Sequence, residues 1–173
     1  KLVQGGYLSP EEAARAVVCP DSQLAERVAN GCVIIYIPTK EELRNASPAR
    51  QEYFRKWMGG SYAYPLGHRN ASGKLQPVRL QSRRDIPLLG DAPSREIAGY
   101  QSANHGGCGQ YFLFQDLSVK YRKKCKCAQE KDHWYLNDEG EPAAGLHEED
   151  TVLVPSEVVP VIEFIVPMKA HTK

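Results

Sequence analysis

Between His105 and Tyr135 the chain gathers three of its five cysteines, two of its five histidines and one of its two tryptophans, interleaved with glycines and a basic run. Glycines at 106, 107 and 109 surround Cys108 and permit sharp folding that side-chain-bearing residues resist. Cys125 and Cys127 follow within a lysine-rich segment. This stretch is therefore where most of the chain's site chemistry is expected.

The order of elements around it predicts the fold class. Ser9-Pro-Glu-Glu12 is a helix start: a serine cap, proline at the first helical position and a glutamate that reaches back to the cap. Cys19-Pro20 ends that helix. Asp21 or Ser22 caps a second one over residues 23–29, and Asn30-Gly31 stops it. Thr39-Lys-Glu-Glu42 opens a third, and Ser47-Pro48 opens a fourth over residues 49–58 that Gly59-Gly60 closes. In that fourth helix Tyr53, Phe54 and Trp57 form a core-facing stripe. Residues 32–37 have no polar alternation and are expected as a strand covered on both faces.

Residues 61–100 alternate prolines, glycines and arginines without a sustained period, which predicts long loops with one or two short strands. Strands are then expected at 110–114, 118–124, 133–136, 151–154 and 158–166, with a turn at 137–140. Helices first and strands afterwards give an α+β fold with a mostly antiparallel C-terminal sheet. We expect one domain over residues 1–173: a helical layer with one strand (1–60), a loop-rich middle (61–104), and a sheet that carries the candidate site (105–173).

His105, Cys108, Cys125 and Cys127 form two ligand pairs of the kind that hold a structural Zn2+, which takes four tetrahedral nitrogen and sulfur donors. His133 or Cys19 can substitute for one of them. Neighbouring lysines at 123, 124 and 126 favour the thiolate form such a site needs.

The same stretch supports two catalytic alternatives. Gly106-Gly-Cys-Gly109, with His133 ahead of Trp134-Tyr135, resembles the cysteine and histidine boxes of papain-like viral and ubiquitin-directed proteases. That resemblance implies Cys108 as nucleophile, His133 as base and Asn137 or Asp138 as orienting group. Gly107-x-Gly109-x-Tyr111-Phe112, followed by Ser118, Tyr121 and the acidic segment from Glu148, resembles the nicotinamide-binding segment of poly-ADP-ribosyl-type transferases. That resemblance implies NAD stacked on Tyr111 and an acidic residue near Glu149 on a ribose hydroxyl.

Twenty-two basic residues against 21 acidic ones leave a formal charge of +1, so any electrostatic partner must be met by a local patch. The candidate patch comprises Arg79, Arg83, Arg84, Lys120, Arg122, Lys123 and Lys124. No apolar run approaches the roughly 20 residues of a membrane span. The uneven cysteines favour an intracellular, reducing setting, against which stand two glycosylation triplets, Asn45-Ala-Ser47 and Asn70-Ala-Ser72. The initial lysine suggests a processed product or an excised domain. His68, His147 and His171 are expected at the surface, and Glu163 on an outward-facing strand position. Together these features predict a zinc-stabilised binding module for a protein or nucleic-acid partner.

Overall fold

The computed structural model describes residues 7–81, 83–126 and 132–158. Four short helices lead the chain: α1 (Pro10–Ala16), α2 (Gln23–Ala29), α3 (Lys40–Asn45) and α4 (Pro48–Trp57). Their starts are where the caps put them. The Ser9 hydroxyl accepts from Glu12 N–H, while the Glu12 carboxylate accepts from Ser9 N–H. Thr39 and Glu42 repeat that reciprocal pair ahead of α3. Ser22 and Ser47 cap α2 and α4 through single bonds to Ala25 N–H and Arg50 N–H. No described helix is long and apolar enough to cross a membrane.

The sheet is antiparallel throughout. It contains β1 (Tyr62–Pro65), β4 (Pro87–Asp91), β5 (Gln110–Phe114), β6 (Val119–Arg122) and β7 (Leu153–Pro155), in the order β6-β5-β4-β1-β7. A separate hairpin pairs β2 (His68–Arg69) with β3 (Leu75–Gln76). With the helices mostly N-terminal, this is an α+β architecture.

Two inner strands, β1 and β4, come from the stretch expected to be long loops with one or two short strands. Their sequences, Tyr-Ala-Tyr-Pro and Pro-Leu-Leu-Gly-Asp, break the alternation that identifies a strand. Gly90 has a packing reason: a Cβ there would lie 2.7 Å from the Phe112 ring and 3.0 Å from a Leu153 methyl. Phe112, Phe114, Trp134, Tyr135 and Leu153 form the buried cluster under this glycine, with Ala63 and Cys125 beside them. The Trp134 ring meets Phe112 and Phe114 edge-on at centroid separations of 4.6 and 5.4 Å. On β5, Gln110, Phe112 and Phe114 point inward, and Tyr111 points out.

Three sequence expectations change. Residues 32–37 form no strand: Val33 and Ile35 are buried, but Ile34 is 71% exposed, because no neighbouring strand among the described residues covers that side. Residues 133–136 make a tight turn, held by Leu136 N–H donating to His133 C=O, which buries Trp134 and Tyr135 without a ladder. Of the α4 stripe, only Phe54 is in the core. Trp57 instead lies under the Arg27 and Lys56 cations, and Tyr53 is exposed. The strand expected at 158–166, with Glu163, lies outside the described residues except for Val158, and His171 lies outside them too.

One small residue ties the helical layer to the sheet. Ser61 N–H donates to Val17 C=O, its hydroxyl meets the Ser22 hydroxyl at 2.8 Å, and its carbonyl accepts from Ala92 N–H and the Asn104 amide. That junction sets the link between α1 and α2 against the end of β4.

Candidate metal centre

Three chain segments meet at this junction. Cys19 follows the end of α1, immediately before Pro20, and its carbonyl accepts from the Ser22 hydroxyl. Asp91 is the last residue of β4 and is 1% exposed. His105 lies in a single 3-10 turn, Asn104–Gly107, where φ of 53° places a non-glycine residue in the left-handed region. Gly106 and Gly107 continue that conformation, and the three together reverse the chain. Left-handed backbone at a residue with a functional side chain is a form of strain that clusters at sites.

The side chains converge on one atom. His105 Nε2 lies 3.6 Å from Cys19 Sγ and 3.3 Å from Asp91 Oδ2, and the three ligand atoms all lie within 4.8 Å of one another. Zinc bond lengths of about 2.3 Å to sulfur and about 2.0–2.2 Å to nitrogen and oxygen give tetrahedral edges of about 3.5 Å for sulfur to nitrogen and about 3.4 Å for nitrogen to oxygen. The two spacings to Nε2 match those edges.

The surroundings also suit a metal. Asp21 Oδ2 lies 3.2 Å from His105 Nδ1, and Asp21 C=O accepts from His105 N–H. A carboxylate on the second ring nitrogen fixes the tautomer and turns Nε2 toward an ion. The Asp91 carboxylate is held on both oxygens: Oδ1 accepts from the Asn104 amide at 3.0 Å, and Oδ2 from Tyr111 N–H at 2.7 Å.

Electrostatics here oppose a free thiolate. Burial pushes the Cys19 thiol up, the Asp21 backbone N–H offsets part of that, and the Asp91 and Asp21 charges raise it further. Tyr62, opposite Asp91 in the β1/β4 register, is pushed up by burial and then by the charges of Cys19 and Asp91, which places its ring beside the cluster. A divalent cation would neutralise the thiolate and carboxylate together.

Of the ligands expected from sequence, His105 belongs to this group. Cys108 is exposed, with its thiol toward Gly106 C=O, and Cys125 is buried against the aromatic core, where burial pushes its thiol up to about 12. Among the described residues neither joins His105 in a ligand cluster, and Cys127 lies outside them. His133 has both ring nitrogens occupied by backbone: Tyr135 N–H donates to Nδ1, and Nε2 lies 3.4 Å from Gly99 C=O. Burial lowers its pKa. Its expected orienting groups work elsewhere: Asn137 bonds its own turn, and Asp138 pairs with His147 at 2.9 Å.

Tyr111 stands edge-on to the His105 ring at 5.2 Å, and Glu149 is exposed on a loop. Three arginines of the expected patch have an acidic neighbour: Arg83 a bidentate Asp85, Arg84 Asp116 at 3.7 Å, and Arg79 Glu148 at 3.9 Å. Lys120 lies over the Phe114 ring.

Asp91 and Asp21 gave no local signal in the sequence. Asp21 reads as a helix cap, and Asp91 as part of a proline-rich loop. No family model matches this chain, and no curated protein or solved structure shows significant similarity to it.

Proposed function

We propose that this chain is a metal-clamped binding module in which Cys19, Asp91 and His105 supply three of the four donors of Zn2+, with a solvent molecule taking the fourth, and fasten the helical layer to the sheet. The observation that carries the reading is the approach of a thiol and a buried carboxylate to one imidazole nitrogen at tetrahedral spacing. A nitrogen bearing one proton serves one such neighbour well; a cation serves both. Asp21 on the far ring nitrogen adds the outer support that histidine ligands ordinarily have. Three segments distant in sequence contribute one ligand each, and a structural ion gains most where it closes long loops.

The test is elemental analysis of purified protein, paired with thiol counting before and after chelation. One zinc per chain, with Cys19 protected until chelation, supports the clamp. Metal-free protein that takes up no zinc, cobalt or iron from a chelator-buffered solution sinks it.

A second reading rests on the same histidine. Cys19 Sγ, His105 and Asp21 also stand in the order nucleophile, base, orienting carboxylate, at 3.6 and 3.2 Å. Burial and the Asp91 charge weaken it, because both disfavour the thiolate. Alkylation of Cys19 by iodoacetamide faster than of exposed Cys108, in metal-free protein, would favour it over the clamp.

A further inference from the structure

The outer face of β5 and β6 is apolar and aromatic, in contrast to the polar surface expected of a solvated sheet. Tyr111 and Tyr121 are direct cross-strand partners, as are Leu113 and Val119, so all four share one face. Tyr111 is 46%, Tyr121 39% and Val119 65% exposed. The tyrosine rings stand 5.1 Å apart, and the Tyr111 ring also meets that of His105. Gly109 makes room for this arrangement: a Cβ there would lie 2.5 Å from the Tyr121 hydroxyl oxygen. The rings are therefore held against the surface, with part of each facing solvent.

Positive charge lies at the end of this face. Lys123 comes two positions after Tyr121 at the sheet edge; it is exposed and has no acidic partner among the described residues, whereas Arg122, opposite Gln110 in the register, belongs to the other face. This differs from Arg79, Arg83 and Arg84, whose charges are locally matched. Basic residues on an edge strand also discourage edge-to-edge pairing, which accounts for the charges but not for two solvent-facing tyrosines beside them.

We infer that the Tyr111–Tyr121 face, with Lys123 at its end, is a stacking platform for single-stranded nucleic acid. The inference rests on the reading of the chain as a binding module and names the partner class. A single strand offers the two complementary groups together: unstacked bases for the rings, and phosphate for the lysine. A duplex hides its base faces, so it cannot use the tyrosines.

Fluorescence anisotropy of labelled 12-nucleotide oligo-U and oligo-dT, on full-length protein of measured metal content, tests this. Binding is expected to be stronger than to a duplex of the same length. Tyr111→Ala and Tyr121→Ala should each weaken it about tenfold or more, while Tyr111→Phe, which keeps the ring, should retain it. Lys123→Glu should flatten the salt dependence by about 0.7 in log–log slope, the loss of one phosphate contact.

Circular dichroism of each variant guards against loss of fold. No binding to either oligonucleotide at low salt overturns the inference, as does binding that ignores both tyrosines or capture of a protein partner alone through this face. Oligonucleotide failure with zinc bound leaves the clamp standing. Tyrosine-dependent binding by protein that takes up no metal overturns the clamp and leaves the platform.

Discussion

His105 Nε2 lies 3.3 Å from Asp91 Oδ2, a carboxylate with almost no solvent exposure, at the end of a strand that reaches the histidine only through tertiary packing. Cys19 Sγ lies 3.6 Å from the same nitrogen. Replacing any of these three by alanine should abolish stoichiometric zinc binding. At a free zinc level about a thousand times the dissociation constant, bound metal contributes about 4 kcal/mol to folding. Chelation should then lower Tm by roughly 10 °C, given about 2–4 °C per kcal/mol at this chain length. Differential scanning calorimetry with and without chelator checks this, and equal melting temperatures would contradict a structural ion.

Asp21 touches the other ring nitrogen, so its effect should be on affinity rather than presence of the site. Asp21→Asn is expected to weaken zinc binding by about 10- to 100-fold while leaving one ion bound at saturation. Competition against a colorimetric zinc chelator measures the difference. A variant that binds as tightly as the parent would remove Asp21 from the site.

Asp132 gives the protein a pH dependence separate from the metal. Burial, and then the charge of Asp150, push its carboxyl up from the ordinary range to about 7, despite a hydrogen bond from Thr151 N–H. One oxygen of each carboxyl is buried without a hydrogen-bond partner among the described residues. The folded chain therefore keeps a proton that the unfolded chain releases near pH 4. This contribution is fully present below about pH 4, declines as pH rises, and is lost above about 7. Urea unfolding at pH 5 and pH 8 should show Asp132→Asn more stable than the parent at pH 8 and a smaller loss between the two pH values. A parent whose stability rises steadily over that range would contradict the assignment.

Gly60 sets the spacing between α1 and β1. Its φ is +61°, and a Cβ would fall 1.9 Å from Val17 C=O, the carbonyl that accepts from Ser61 N–H. Gly60→Ala combines left-handed strain of about 1 kcal/mol with a backbone clash. It should destabilise by about 2 kcal/mol or more and reduce metal affinity too, since Cys19 hangs on the same junction. Gly73, also left-handed but in open space, serves as control: Gly73→Ala should show the strain alone.

What the sequence determined is local. The Ser9/Glu12 and Thr39/Glu42 boxes act within four residues, so every helix start was legible. The aromatic run in Gln-Tyr-Phe-Leu-Phe was enough for β5, and the two-residue period of a strand turned Tyr111 outward. Asn137-Asp-Glu-Gly140 closes its turn as its residue types require, with Gly140 N–H donating to Asn137 C=O. Helices followed by strands then fixed the α+β class.

The tertiary structure alone decided which pieces meet. β1 and β4 carry proline and glycine in place of a pattern, and they become inner strands because Phe112 and Leu153 need a flat, side-chain-free surface at Gly90. Cys125 looked like a ligand but was drawn into the aromatic core, whose apolar surface keeps its thiol protonated. The Cys19 to His105 contact joins residues 86 positions apart, and Asp91 reaches both only because Ser61 docks the helical layer at the end of β4. Capping and alternation are short-range forces read along the chain, whereas a ligand set is a coincidence of packing, which no spacing in the sequence records.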